Sequence, residues 1–328
     1  MIIKKHEQPL YLQQLEALLR RLPCEHRKRA QIQEAYNKSI AGYKGEQSLQ
    51  FPLSYLREDQ YLIFYDLRLS NGAYFFQLDT LILSKKYFLI IEVKNITGTL
   101  YFDLELNQLI RSADNKEEAF PDPLAQVSYQ RIQLGLWLEK LGFTGIPIET
   151  LIVIANTRSV IKVSNKTCDL SQKIIHSQII PIRVNELDKT YSIESLAMNN
   201  LHFLAKQMLS KHIPLRQNIL KRFQVHASEL LNGVQCDYCL KLPIERIHGS
   251  WLCKVCMKTS KNAHIKALKD YSLLIDTTIN NKEGRHFLKV SSEDVVKRLF
   301  QTIPLEAEGM NKGRRYKLLF DILNNFRN

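Results

Sequence analysis

The sequence predicts an α/β protein with a small metal-binding unit near its C-terminal end. Three observations carry this. Residues 61–95 are apolar, strand-like runs separated by tight turn signals. Asp122-Pro123 opens a long helical segment, and the apolar run Ile148–Ala155 follows it. Four of the six cysteines fall into two CxxC pairs. A chain of 328 residues fits two or three domains. Its 45% apolar and 24% charged residues are ordinary globular values and exclude disorder as the main state. The formal charge of +13 favours polyanionic partners, nucleic acid first, although basic proteins without such partners exist. No apolar run reaches the ~18–20 residues that span a bilayer. The opening MIIKKHEQPL lacks a signal-peptide core. The expectation is a soluble, cytoplasmic protein with no membrane partner.

The elements follow in order. Leu10, Leu15, Leu18, Leu19 and Leu22 form a helical stripe within residues 8–41 that Pro23 interrupts, so two helices or a kink are expected. Gly42 is a plausible stop, with a new helix near Gly45 carrying Glu46. Tyr61–Leu69 and Tyr74–Ser84 read as strands around the Asn71-Gly72 turn. Tyr87–Asn95 is the third strand, and Thr99–Phe102 with Gln108–Arg111 suggests another hairpin. A helix from Asp122 to about Leu141 precedes the strand Ile148–Ala155. Short strands are expected at Ile161–Val163 and Ile179–Ile182, and helices at Ile193–Leu209, Leu215–Leu231, Asn262–Ile275 and Ser292–Gln301. Leu318–Phe326 reads as a helix or a strand. No internal repeat and no low-complexity tract stands out.

The chemistry concentrates in Gln77–Lys94. A turn centred between Lys85 and Lys86 would place Asp79 directly opposite Glu92, roughly 4.5–5.5 Å apart at Cβ. Lys94 shares the face of Glu92, and Gln77 would lie opposite Lys94. Two facing carboxylates among Leu81, Leu83, Phe88 and Ile90 are unfavourable unless something neutralises them. A divalent cation such as Mg²⁺ or Mn²⁺ on Asp79 and Glu92 would do so. Lys94 would then orient an attacking water or stabilise charge on a phosphorane-like transition state. The plainer alternative is a salt-bridged strand end, and an odd-length loop would move Asp79 to the other face.

Asp79, a short hairpin and Glu92-Val-Lys94 resemble the PD-(D/E)xK nuclease pattern. More narrowly, residues 38–155 resemble the nuclease-related domain, NERD. Gly45-Glu46 stands where that family carries its Gly-Glu motif. Asp122-Pro123-Leu124-Ala125-Gln126 is similar to its Asn-Pro-x-x-Gln, with Asp for Asn. The resemblance implies a restriction-endonuclease-like core of helix, antiparallel strands, helix and strand, with metal at the sheet edge. It implies Glu46 as a third acidic site residue and Gln126 as a helix residue reaching the site. Gln126, Gln130 and Gln133 share a helix face, for which a solvated face is the plainer reading of Gln130 and Gln133. The chain then divides into an N-terminal helical region (1–37), the nuclease-related domain (38–155), a mixed extension (156–235), a four-cysteine unit (236–260) and a basic helical tail (261–328).

Cys236-x2-Cys239-x13-Cys253-x2-Cys256 has the spacing of a four-thiolate Zn²⁺ site, closed and therefore structural. It resembles a zinc ribbon or a topoisomerase-type zinc finger. A redox dithiol or an iron–sulfur cluster are the alternatives. From Cys236 onward seventeen Lys+Arg face ten Asp+Glu, a local excess of +7. Within it, Lys312, Arg314 and Arg315 are candidate phosphate contacts, with a solvated loop as the alternative. A winged-helix-like or helix-turn-helix-like tail would fit 291–316. The main reading is a metal-dependent nuclease, with DNA favoured over RNA. A non-catalytic nucleic-acid-binding protein on the same fold is the alternative.

Overall fold

The computed structural model describes residues 1–164, 170, 172–310, 313–319 and 323. In chain order come β1 (Ile2–Lys4), α1 (Leu10–Arg21), α2 (Arg29–Ser48) and α3 (Gln50–Leu53). Next are β2 (Leu62–Ser70), β3 (Phe75–Leu83), β4 (Phe88–Lys94), β5 (Thr99–Asp103), β6 (Gln108–Ala113) and β7 (Lys116–Pro121). They are followed by α4 (Pro123–Glu139), β8 (Ile148–Ile154), β9 (Val160–Val163), β10 (Ile174–His176), α5 (Ile180–Thr190), α6 (Met198–Ser210) and α7 (Ile219–Phe223). The last part holds β11 (Glu245–Ile247), β12 (Ser250–Leu252), β13 (Thr259–Ser260), α8 (Ala263–Leu274), β14 (Thr278–Asn280), α9 (Asn281–Leu288), α10 (Glu293–Gln301), β15 (Ala307–Glu308) and β16 (Arg315–Lys317). Cys168 and most of 318–326, where a last element was expected, lie outside the described residues.

These elements form two units, one from Met1–Pro9 and Lys38–Leu215, the other from Leu10–Asn37 and Arg216–Asn328. The first is built on a six-stranded sheet of order β1-β2-β3-β4-β8-β10. β2, β3 and β4 are antiparallel, while β4–β8 and β8–β10 are parallel. Alternation along the strands, interrupted on β2 and β3 at Asp66 and Asp79, covers both faces. Leu62, Phe64, Leu78, Leu81, Phe88 and Ile90 face one way and pack with Leu134, Trp137 and Leu138 of α4 and Leu201 and Leu204 of α6. Ile63, Tyr65, Ile82, Leu89 and Ile91 face the other way and pack with Leu53 and with Ile180, Val184 and Leu187 of α5. A second sheet, β7-β6-β5-β9, extends the expected hairpin by one strand on each side.

α4 starts where the sequence marks it. The Asp122 carboxylate accepts from the amides of Leu124 and Ala125, and Pro123 occupies the first turn, where its missing N–H costs nothing. Other expectations fail for local reasons. Ile179–Ile182 is not a strand. It lies at the start of α5, where Pro181 suits the first helical turn. Gly42 does not end α2, which runs through Gly45 to Ser48. Gly45 has a packing role instead: a Cβ there would stand 2.4 Å from Asn95 Cβ. Asn95, just past β4, donates from Nδ2 to Ala41 O at 2.7 Å. The glycine thus lets α2 approach the end of the central strand, which carries Glu46 toward it.

In the second unit, α1 joins α8 through a buried charge triad. Arg20 and Arg21 both reach Asp270, at 2.9 and 2.7 Å, and Arg21 and Asp270 are almost wholly buried. Arg21 also donates from Nη1 to Gly233 O at 2.6 Å. Three short strands, β11-β12-β13, follow, and then β14, α9, α10, β15 and β16, with strand order β14-β16-β15.

Candidate active site and metal centre

The β3–β4 ladder runs from Leu83 opposite Phe88 to Thr80 opposite Ile91. The next pair in register is Asp79 and Glu92, as the hairpin arithmetic predicts. There the regular pairing stops, and Asp79 Oδ2 accepts instead from the Val93 amide at 2.9 Å. The site lies where the two strands part, at the edge of the apolar face under α4. Glu92 is 3% exposed. Its Oε1 accepts from Lys94 Nζ at 2.7 Å and its Oε2 from Gln130 Nε2 at 2.8 Å. Lys94 also donates to Gln126 Oε1 at 3.0 Å. Asp79 titrates well above the usual carboxylate range, because it is withdrawn from water and lies beside Glu92 and Glu46.

Glu46 approaches this group from α2, but its carboxylate is bound by His6 Nε2 at 2.9 Å. The His6 ring stacks on Tyr43 at 4.7 Å between centroids and meets Tyr65 edge-on. Its Nδ1 is buried without a partner. β1 places His6 by pairing beside β2, and Lys4 from the same strand donates to Tyr65 O at 2.9 Å. Asp66, at the point of β2 in register with Asp79, is held in a left-handed conformation with φ of 50°. Its carboxyl is raised in pKa, first by burial and then by Glu46 against the opposing charge of Lys4. Gln77 donates to it at 2.7 Å rather than reaching Lys94.

The sequence reading therefore assembles Asp79, Glu92, Lys94 and Gln126, with Glu46 nearby. It misses Gln130, His6, Lys4 and Asp66. Gln130 is no solvated residue: it is 6% exposed and bonds Glu92. A signal was available, since Gln130 precedes Leu134 and Leu138 by four and eight positions, on the buried stripe of α4. Gln133 bonds Asn71 in the β2–β3 turn and takes no part in the site. His6, Lys4 and Asp66 carried no local signal.

The cysteine centre is separate. Cys236, Cys239, Cys253 and Cys256 bring their sulfur atoms within 4.8 Å of one another. Among the described residues they are the one group of three or more His, Cys, Asp or Glu side chains gathered in this way. The Cys236–Cys256 and Cys239–Cys253 sulfurs are 3.6 and 3.4 Å apart. That is too long for a disulfide and close to the ~3.8 Å edge of a tetrahedron with Zn–S bonds of about 2.3 Å. The four thiols can hold zinc. The two loops are also copies of one another, a repeat not seen in the sequence. Each reads Cys-x-x-Cys, then Leu240 or Met257 at φ of 61° or 57°, then lysine. In each, the first cysteine's amide donates to that lysine's carbonyl, at 2.8 and 3.0 Å. Hydrogen bonds from the Cys256 and Val255 amides lower the Cys253 thiol to about 6, which favours the ligating thiolate.

The expected phosphate-binding turn is divided. Lys312 lies outside the described residues. Arg314 is exposed and stacks over the Tyr316 ring at 5.4 Å. Arg315 is committed within the protein: its guanidinium forks onto Glu283 at 3.0 and 3.1 Å, and its Nε donates to Thr278.

A mixed sheet crossed by α4, with acidic groups and a lysine where β3 and β4 part, defines an α/β nuclease-like fold. Residues 41–155, which carry Glu46, Asp79, Glu92, Lys94 and Gln126, match the nuclease-related domain family, NERD. No curated protein and no solved structure matches the chain. No helix among the described residues is long and apolar enough to cross a membrane.

Proposed function

We propose that this protein is a metal-dependent nuclease that hydrolyses phosphodiester bonds, with DNA the favoured substrate. The observation that carries the reading is the pair of carboxylates, Asp79 and Glu92, gathered at the end of the β3–β4 ladder with Lys94 beside them. Asp79 and Glu92 lie together, Lys94 pairs with Glu92, and Asp79 is pushed toward its neutral form by desolvation and by its neighbours. A site built this way fits a divalent cation, which would favour the charged form of Asp79. Asp79 and Glu92 would hold Mg²⁺ or Mn²⁺, and the ion would supply Lewis-acid stabilisation of charge on the scissile phosphate.

The remaining groups have roles that follow from their bonds. Lys94, aligned by Gln126, offers an ammonium for the oxyanion that develops on the phosphate. Gln130 fixes the rotamer of Glu92 from above. Glu46, oriented by His6, adds a third negative charge close enough to raise Asp79.

The alternative, nucleic-acid binding without cleavage, has one observation in its favour: both Glu92 oxygens are already bonded, by Lys94 and Gln130. Cleavage of labelled single- and double-stranded DNA and RNA across a titration of Mg²⁺ and Mn²⁺ decides between them. The nuclease reading expects metal-dependent products that vanish in Glu92→Ala. Binding without products in any metal, or cleavage unchanged in Glu92→Ala, would overturn it.

A further inference from the structure

The parallel strands β4, β8 and β10 end in register, and the candidate site lies along that end. Glu92 stands beside Ile152 and Lys94 beside Ile154. Both rows continue onto β10, where Ile152 pairs with Ile174 and Ile154 with His176. Ile152, Ile154 and Ile174 pack in one apolar cluster with Val127 of α4. Two-residue alternation therefore puts His176 on the α4 face as well, in the row of Lys94. Two strand spacings separate the two residues, roughly 9–10 Å between Cα atoms. Ile154, between them, is fully buried, so His176 is the next polar side chain in this row.

The turn after β8 is fastened to the segment that follows Lys94. The Ala155 amide donates to Lys94 O at 3.0 Å, Ser159 Oγ to Ile96 O at 2.6 Å, and the Val160 amide to Gly98 O at 3.0 Å. Inside the turn, the Arg158 amide donates to Asn156 Oδ1 at 3.0 Å and the Ser159 amide to Asn156 O at 3.2 Å. Ser159 is buried and Arg158 exposed. Arg158 is thus held one residue from a bond to Ile96, which is itself two residues past Lys94. A neighbouring cation is already engaged: Arg111 of β6 donates to Thr97 O at 2.8 Å and to Glu118 at 3.4 Å. Arg158 and His176 are not. Among the described residues, neither the Arg158 guanidinium nor the His176 ring makes a hydrogen bond or an ion pair.

Open α/β sheets bind their ligands at the carboxyl ends of parallel strands, where the loops gather. A planar guanidinium and an imidazole that nothing else occupies suit phosphate oxygens there. We propose that Arg158 and His176 contact backbone phosphates of bound nucleic acid on the β8–β10 side of the candidate site, so that the substrate strand runs along the carboxyl edge of the sheet past Lys94. Each residue makes its own contact, and the two need not touch. The inference rests on the Asp79–Glu92–Lys94 site receiving nucleic acid, and it adds the direction in which that substrate lies.

The test uses the full chain. Anisotropy isotherms with short single- and double-stranded DNA and RNA, without divalent cation and at several salt concentrations, measure binding apart from cleavage. Arg158→Ala should weaken binding about three- to tenfold and lower the log–log salt slope by roughly 0.7–0.9. His176→Ala should weaken it about threefold, and His176→Gln, which keeps a donor, should recover part of that loss. In Mg²⁺, Arg158→Ala should raise KM more than it lowers kcat, because a flanking contact is made equally before and during the reaction. Arg158 is exposed, so its variant keeps the test meaningful if His176→Ala unfolds, and melting temperatures report on folding in both. Wild-type affinity and slope in Arg158→Ala and His176→Ala, in a protein that binds, would overturn this proposal alone. Binding without cleavage would overturn the nuclease reading and leave the isotherms to decide this one. No binding by the wild type would overturn both.

Discussion

The carboxylate site and the cysteine centre solve the same problem in opposite ways. Each gathers groups that repel one another once ionised. At Asp79 and Glu92 the sheet supplies the order. Both faces of β3 and β4 are packed, Asp79 is raised in pKa by desolvation and by Glu92, and Lys94 and Gln130 bond Glu92. At Cys236–Cys256 the surrounding strands are two or three residues long. There Cys236 and Cys253 also join the apolar cluster around Trp251, and the four sulfurs tie two short loops together. A sheet packed on both faces can hold facing carboxylates in place, whereas loops this short commonly draw their stability from a bound ion.

The largest expected effect follows from that contrast. Stripping zinc with a chelator, or Cys239→Ser, should disorder the cysteine-bearing segment, because structural zinc contributes about 10–16 kcal/mol in small domains. Limited proteolysis should then cut first between Cys236 and Cys256, while Asp79 and Glu92 remain in folded sheet. Equal protection of the segment with and without zinc would break the comparison. Next in size, Lys94→Ala should lower metal-dependent turnover by about 10²–10³-fold with little change in melting temperature. Cleavage kinetics alongside calorimetry check this.

Histidine 264 sharpens the comparison on the cysteine side. Its folded pKa of about 4 lies below its ordinary 6.5, so its neutral form is favoured in the fold. The stability it contributes is present above pH 6.5 and is lost as pH falls through that window, by up to roughly 3 kcal/mol. His264→Phe should flatten that part of a denaturation-versus-pH curve. Gly45→Ala probes the other side. Its Cβ would collide with Asn95 at 2.4 Å, costing about 1–3 kcal/mol and shifting Glu46 away from the site. Urea melts and turnover should fall together. The smallest effect is Asp79→Asn. Asp79 is raised in the fold, so it costs stability as pH rises through its folded value. The amide should stabilise the metal-free protein by about 1 kcal/mol near neutral pH, or roughly 2–4 °C. Added divalent cation should narrow that gap by stabilising only the wild type.

Short-range chemistry made much of this legible. A strand pair has period two, so the turn at Lys85-Lys86 was enough to bring Asp79 level with Glu92 and to put Lys94 on the same face. Two CxxC turns converge by themselves, and Asp122-Pro123 carries its own capping chemistry. The sequence by itself determined these, because each depends on residues within one turn or hairpin, at most twenty positions apart. Tertiary structure alone decided the rest. His6 reaches Glu46 across 40 positions because β1 docks beside β2. Arg315 spends its charge on Glu283 because β16 pairs with β14. α1 packs with α8, where Arg21 and Asp270, 249 positions apart, bury their charges together. A side chain's distant partner leaves no periodicity to read. It is settled by which surfaces the chain buries, and burial decides whether a charge is solvated, paired or left waiting for a ligand.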